Sequence, residues 1–382
     1  MSERSRLLSR RSFSLVMAAG VTHALVGTLA GCASDTPEQL EDAEETVTDQ
    51  ATTESIPEVS PISQGLVCVS EFMGNTIALI DIEAQEIIKR IPVGNNPTTM
   101  MHANEKLYIC NSGSGELAVV PLSDSNLAKR IPVGYQPTNL CFDEAGQRLF
   151  VADFYNNGIH IVDTVLDSKI QTITLGRYGY RNRTDPPVCC IMEGLDATGR
   201  RTVALALSPD NSILYCANYG TCDIARVDLL TDSELDPFDG VVAPQTMILT
   251  VDGSHLLLAG VGGNVEEKVS CLYVIERDTG KRVEEVPVGV AVADVSQTKD
   301  GETVLALAKD DGMLVLYDRT TWAEVGRVAL QAGVDAVTLS SDDASVYVSN
   351  SSSGVLSIIN RATLEITGSV HGLLNPKDIL AL

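Results

Sequence analysis

Past residue 31 the chain places histidines at His102, His160, His255 and His371, in different stretches and with no metal-ligand spacing between them. They read as structural or surface groups. Other catalytic spacings are missing. No C-x-x-C-H is present to attach haem, no H-E-x-x-H to hold zinc, and no P-loop to cradle phosphate. No G-x-S-x-G occurs either, and Gly113-Ser114-Gly115 has the composition of a tight hairpin turn. Asp143, Asp210, Asp252, Asp300 and Asp342 recur at one place in a repeating pattern, where Asp favours a turn by bonding its own backbone. Ser70, Asn111, Asp153, Asn218 and Asn350 recur at another, each closing an apolar run. Such side chains could ring a channel mouth and bind a cation, but they are also the signature of the repeat itself. No catalytic residue, metal or cofactor is assigned from these patterns.

A break in the pattern is more informative. GRYGYRNRTDPPVCCIMEGLDATGRR, residues 176–201, stands where matching positions have a four-residue turn. Long loops on a rigid scaffold tend to carry function. This one holds Arg177, Tyr178, Tyr180, Arg181 and Arg183, a cationic and aromatic cluster on an acidic protein. Phe72, Tyr135, Phe154, Tyr155 and Tyr219 are expected on the same face. Tyr with Arg is the composition of recognition surfaces, so this is the candidate binding face. The alternative is a lid over the channel, its arginines paired with local acids. The acidic stretch TDSELDPFDGVVAP, residues 231–244, reads as a second long connection that could supply those acids, and VGGNVEEKV, residues 261–269, as a protruding hairpin.

The elements that must hold these loops are strands. LVCVS (66–70), LYICN (107–111), LFVAD (149–153), LYCAN (214–218), LLLAG (256–260), VLALA (304–308) and VYVSN (346–350) are each followed by a polar turn and a second alternating strand. Most repeats add a further strand, such as EIIKRI, NLAKRI or KIQTIT, and then a Gly-x-x-Pro turn at Gly94–Pro97 and Gly134–Pro137. That turn leads into nearly apolar segments such as TTMMHA and TNLCFD. Period-two alternation broken by Gly, Asn, Asp and Pro predicts an all-β chain. Four strands per unit at a spacing of roughly 40–50 residues predict propeller blades. Seven units can be counted. The repeats open without an inner strand, and the chain ends on one, Asn375 to Leu382. The expectation is a seven-bladed β-propeller of four-stranded antiparallel blades, closed where the C-terminal strand joins the first blade.

LYICNSGSGELAVV, LFVADFYNNGIHIVD, LYCANYGTCDIARVD and VYVSNSSSGVLSIIN resemble the YVTN-type β-propeller repeat, with its Y-V-T/A-N strand, S-V-I-D strand and I-x-V-G-x-x-P turn. The resemblance covers residues 65–382 and implies fold more than function.

The N-terminus has a different character. Arg4, Arg6, Arg10 and Arg11 precede a short apolar run from Leu15 to Ala30. Sixteen helical residues span about 24 Å, short of a bilayer core. Residues 1–31 therefore read as an export signal. Ser9-Arg10-Arg11-Ser12-Phe13 resembles the twin-arginine motif, with an Arg-rich Sec signal as the alternative. Leu29-Ala30-Gly31-Cys32 resembles a lipobox, which implies lipidation at Cys32. Residues 32–64 follow as an acidic tether. Positions 35–63 hold nine acidic residues and no basic ones, too few apolar groups to offset ordering entropy.

Composition closes off some partners. With 51 Asp and Glu against 27 Lys and Arg, the net charge of −24 repels nucleic acid and anionic membrane surfaces. Membrane contact is expected only through the lipid anchor, in an extracytoplasmic compartment, and the chain is expected to be a monomer. Eight cysteines besides Cys32 permit disulfides there, with Cys222 bridging to Cys189 or Cys190, or Cys189 to Cys190, as the open choices. Cys68, Cys110, Cys141 and Cys271 read as small buried hydrophobes. The leading functional expectation is a binding or scaffold module for a protein or polymer of the cell envelope. A propeller hydrolase of lactonase type, or an accessory subunit of an extracytoplasmic redox complex, are the alternatives.

Overall fold

A computed structural model of the chain describes residues 65–176, 199–239, 241, 243–261 and 269–382. Among them the strands form seven four-stranded antiparallel sheets, and the order of strands within each sheet follows the chain. The exception is the first, where Pro376–Ala381 is the inner strand beside Leu66–Glu71, Thr76–Asp81 and Glu86–Pro92. Its register pairs Val67 with Ala381, Cys68 with Leu380 and Val69 with Ile379. The ring is thus closed by the last strand of the chain.

The period-two pattern explains the burial. In Lys106–Asn111 every residue after the first is buried, because both faces of a blade are covered. Leu107 and Ile109 point toward blade 1, packing with Cys68, Ile77 and Leu79. Tyr108 and Cys110 point the other way, packing with Leu149 and Val151 of blade 3. The same division repeats round the ring, so that an apolar core lies between each pair of adjacent blades. The core between blades 7 and 1 exists only through closure, with Tyr347 and Leu356 meeting Val67, Val69 and Ile379. Outer strands are mostly exposed or half-buried, each burying one apolar residue such as Ile91, and the charged Lys89–Arg90 pair sits on one of them.

Two elements differ from expectation. Residues 231–244 are not simply a connection, since Ser233–Asp239 is the outer strand of blade 4, paired with Asp223–Asp228. An outer strand has no neighbour on one side, so Pro237 sacrifices no ladder bond there. The outer strand of blade 2 is shorter than NLAKRI, running only Lys129–Pro132. Before it, Asp124 accepts the Asn126 N–H at 2.9 Å and caps a 3₁₀ turn, Ser125–Leu127.

Antiparallel order puts the interblade turns and the turns between second and third strands on one face of the ring. The N-terminal ends of the inner strands open on that same face.

Candidate functional site

The strand-ending polar residues do not ring the channel. Asp153 and Asn350 bond interblade turns, whereas Asn218 pairs with Thr202 and Asp223 inside its own blade and Ser70 accepts the Asp378 N–H. Asp153 accepts the Tyr135 N–H at 2.9 Å, the Gln136 N–H at 3.0 Å and the Asn156 side-chain amide at 2.7 Å. Burial works to raise its pKa, but bonds from His160, Gln136, Tyr135 and Asn156 outweigh that and bring it to about 2. The carboxylate leaves no room above it. A Cβ on Gly134, where φ is +139°, would lie 2.1 Å from Asp153 Oδ2. This is the physical reason for glycine in the Gly-x-x-Pro turn. Asn350 works similarly in blade 7, accepting the Ser352 and Ser353 N–H groups and donating to Gln331 O. In blade 1 the role passes to Glu71, which accepts from Leu374 N and from Arg90. Asp210, Asp252, Asp300 and Asp342 each accept from backbone and hydroxyl groups of their own turns, as expected of turn residues.

The turn clamped by Asp153 carries part of the candidate binding face. The rings of Tyr135 and Tyr155 meet edge to face with centroids 5.7 Å apart, and Tyr155 meets Phe154 at 5.0 Å. Tyr135 is 69% and Tyr155 49% exposed, and they are the two exposed aromatics among the described residues. Phe154, expected on the surface, is instead buried. It forms the floor of the ledge, and the Arg201 guanidinium sits 5.9 Å above its ring. Tyr219 is half-buried beside it, its N–H donating to Arg201 O at 3.0 Å. Phe72 lies apart, at the channel mouth, under the Lys377 ammonium. Arg177, Tyr178, Tyr180, Arg181, Arg183, Cys189 and Cys190 lie outside the described residues, as do Arg10, Arg11 and Cys32.

The described ends of the long connection are tied down firmly. Arg200, which the sequence reading did not single out, is fully buried. Its Nε donates to Gly176 O at 2.9 Å, one terminal nitrogen pairs with Asp223 at 2.7 Å, and the other pairs with Glu234. An acid of residues 231–244 does therefore neutralise an arginine of residues 176–201. Cys222 is buried and disulfide-bonded. Cys68, Cys110, Cys141, Cys216 and Cys271 are free.

The channel mouth holds a second constellation. The inner strands enclose a cavity of about 580 Å³ that touches all seven blades. Three successive inner strands, Val292–Gln297, Val334–Leu339 and Pro376–Ala381, bring Asp294, Asp335, Asp378 and Lys377 to its wall. Asp335 takes Lys309 on one oxygen and Lys377 on the other, the latter at 3.3 Å. Asp294 accepts the Val337 N–H at 3.0 Å and the Val295 N–H at 2.9 Å. Asp378 accepts Met100 N–H at 2.6 Å and Ile379 N–H at 2.9 Å. Each side chain thereby caps a backbone donor on the open edge of the next inner strand. Asn139 does the same for Leu205 N–H at 3.0 Å. Burial raises Asp294 to about 7, beyond what its Val337 bond recovers, and raises Asp378 to about 6. Among the described residues no group of His, Cys, Asp and Glu is arranged to hold a metal ion.

No family model matches the sequence, and no curated protein is similar enough to count as a relative. Solved structures do match in fold. A protein of Lactobacillus plantarum is 15% identical over 84% of this chain and 100% of its own, with a TM-score of 0.64. A candidate 6-phosphogluconolactonase of Bacteroides uniformis is 12% identical over 83% of this chain and 99% of its own, with a TM-score of 0.65. Hydrazine synthase of Kuenenia stuttgartiensis is 15% identical over 69% of this chain and 76% of its own, with a TM-score of 0.56. At such identities the likeness is one of fold.

Proposed function

We propose that the chain is an exported, lipid-anchored binding module whose loop-rich face captures a protein or polymer of the cell envelope. In this reading the repeat is of YVTN type, residues 1–31 direct export, Cys32 takes the lipid, and residues 32–64 hold the propeller away from the membrane. A bridge from Cys222 to Cys189 or Cys190 would pin residues 177–198 to blade 4. One observation carries the proposal. The two exposed aromatics of the described residues touch each other, on two neighbouring turns that Asp153 bonds. Two exposed tyrosines in contact on an acidic surface offer a hot spot with little entropy to lose.

The test is affinity capture from envelope extract with a Tyr135→Ala/Tyr155→Ala double variant. Leu230→Ser, an exposed apolar residue on the opposite face, serves as control. The double variant should lose at least about tenfold in capture, the range expected of aromatic hot spots, with its melting temperature unchanged. Equal capture by both variants would refute the reading.

The channel carboxylates support a second reading, hydrolysis of a lactone, in line with the Bacteroides uniformis likeness. Asp294 and Asp378 titrate near neutrality, where a general acid or base works best. Turnover of an aldonolactone that vanishes in Asp378→Asn would favour it over capture.

A further inference from the structure

The geometry points to the channel mouth as a site for a small hydroxycarboxylate anion, its carboxylate on Lys309 and Lys377 and its hydroxyls on the channel wall. The two ammoniums keep unspent donors. Each ammonium has three N–H groups, and each spends one on Asp335. Two ammoniums thus share one carboxylate: Lys377 and Asp335 line the cavity, and Lys309 adjoins it through Asp335. Asp294 and Asp378 give both their oxygens to backbone N–H groups and not to these ammoniums. Burial pulls the Lys377 ammonium below its ordinary range, more than Asp335 recovers, so a second anion nearby would be welcomed.

The wall below selects the rest of the ligand. Each oxygen of Asp294 and Asp378 already accepts one backbone N–H, which leaves a further lone pair for a hydroxyl donor. Across the channel, Asn139 uses its oxygen on Leu205 N–H and keeps its amide donors. Thr138 donates its hydroxyl to Thr202 O at 3.0 Å and can still accept. A cavity of about 580 Å³ is of small-molecule size. A simple cation would meet the two ammoniums, and an apolar acid would leave the wall unpaired.

This site is separate from the tyrosine ledge. Capture of a partner there can fail while the channel binds its anion, and the converse also holds.

Titration calorimetry of the purified full-length protein tests the assignment with three probes: gluconate, sorbitol and hexanoate. Gluconate should bind saturably, with sorbitol and hexanoate at least tenfold weaker. Lys309→Met and Lys377→Met should each weaken gluconate at least tenfold, and Tyr135→Ala should leave it unchanged. Absent gluconate binding, sorbitol or hexanoate binding as tightly as gluconate, or full affinity in the lysine variants would each overturn the proposal. Should either methionine variant fail to fold, the salt dependence of the unmodified protein decides. Affinity falling between low and high salt supports the ammonium contacts, and invariant affinity contradicts them.

Discussion

At the scale of single residues, Asp294 shows how a propeller channel sets a carboxyl apart. Burial pushes it up, the Val337 N–H pulls it back, Asp378 pushes it up again, and it settles at about 7. The charged groups facing it come from neighbouring blades: Asp335 with its Lys309 and Lys377 partners, and Asp378. The sign of the pH effect follows. In the unfolded chain an Asp loses its proton near 3.9. The folded chain keeps it up to about 7. The folded state therefore binds more protons across that window. This contribution to stability is complete below about pH 4 and lost as pH rises toward 7, roughly 2–4 kcal/mol in all. Asp294→Asn should remove it. Asn139 shows that an amide at this place in an inner strand can still accept the neighbouring N–H. Thermal unfolding at pH 8 should show the variant melting above the parent, and the two should converge toward pH 4. A variant less stable than its parent at pH 8 would mean that the charged form is the better fit.

At the scale of elements, the polar clamps were only partly legible in the sequence. The strand-ending Asn and Asp residues announce themselves by recurrence, but recurrence does not say where they point. The targets of Asp153, the N–H groups of the interblade turn, become clear only once the Gly134 turn is seen lying on it. The outer strand Ser233–Asp239 was hidden for a different reason. It is acidic, contains Pro237 and lacks alternation, because an outer strand is covered on few sides. The channel charges were visible in principle. Asp294, Asp335 and Asp378 interrupt three successive inner strands that otherwise read as apolar. A search for apolar strands passes over them.

Arg200 is the element-scale device with most at stake. It joins the end of blade 3 to the third and outer strands of blade 4 through Gly176, Asp223 and Glu234. Arg200→Met would leave a buried Asp223 without its cation, a loss of about 3 kcal/mol or more. Arg200→Lys should rescue little, since an ammonium cannot reproduce three bonds fanned in a plane. Denaturant titration of both variants reads this directly. Stability equal to the parent in either would show that the clamp is idle.

At the scale of the whole molecule, the ring makes every blade depend on two neighbours. The complementary ends of the repeat array were readable from the sequence because each unit has the same four-strand count, and the closing register matches. Lipid attachment and the acidic tether remain proposals that concern how this ring is presented, not how it holds together. The ring itself rests on one short strand. Ile379 fills the core between blades 7 and 1, while Leu380 and Leu382 pack against the core between blades 1 and 2. The most direct measurement is thermal unfolding of a chain ending at Asp378. The closed ring requires a large fall in melting temperature, of order 10 °C or more by the usual conversion from stability, together with loss of a single cooperative transition. A truncated chain that melts at the parent temperature in one sharp step would contradict it.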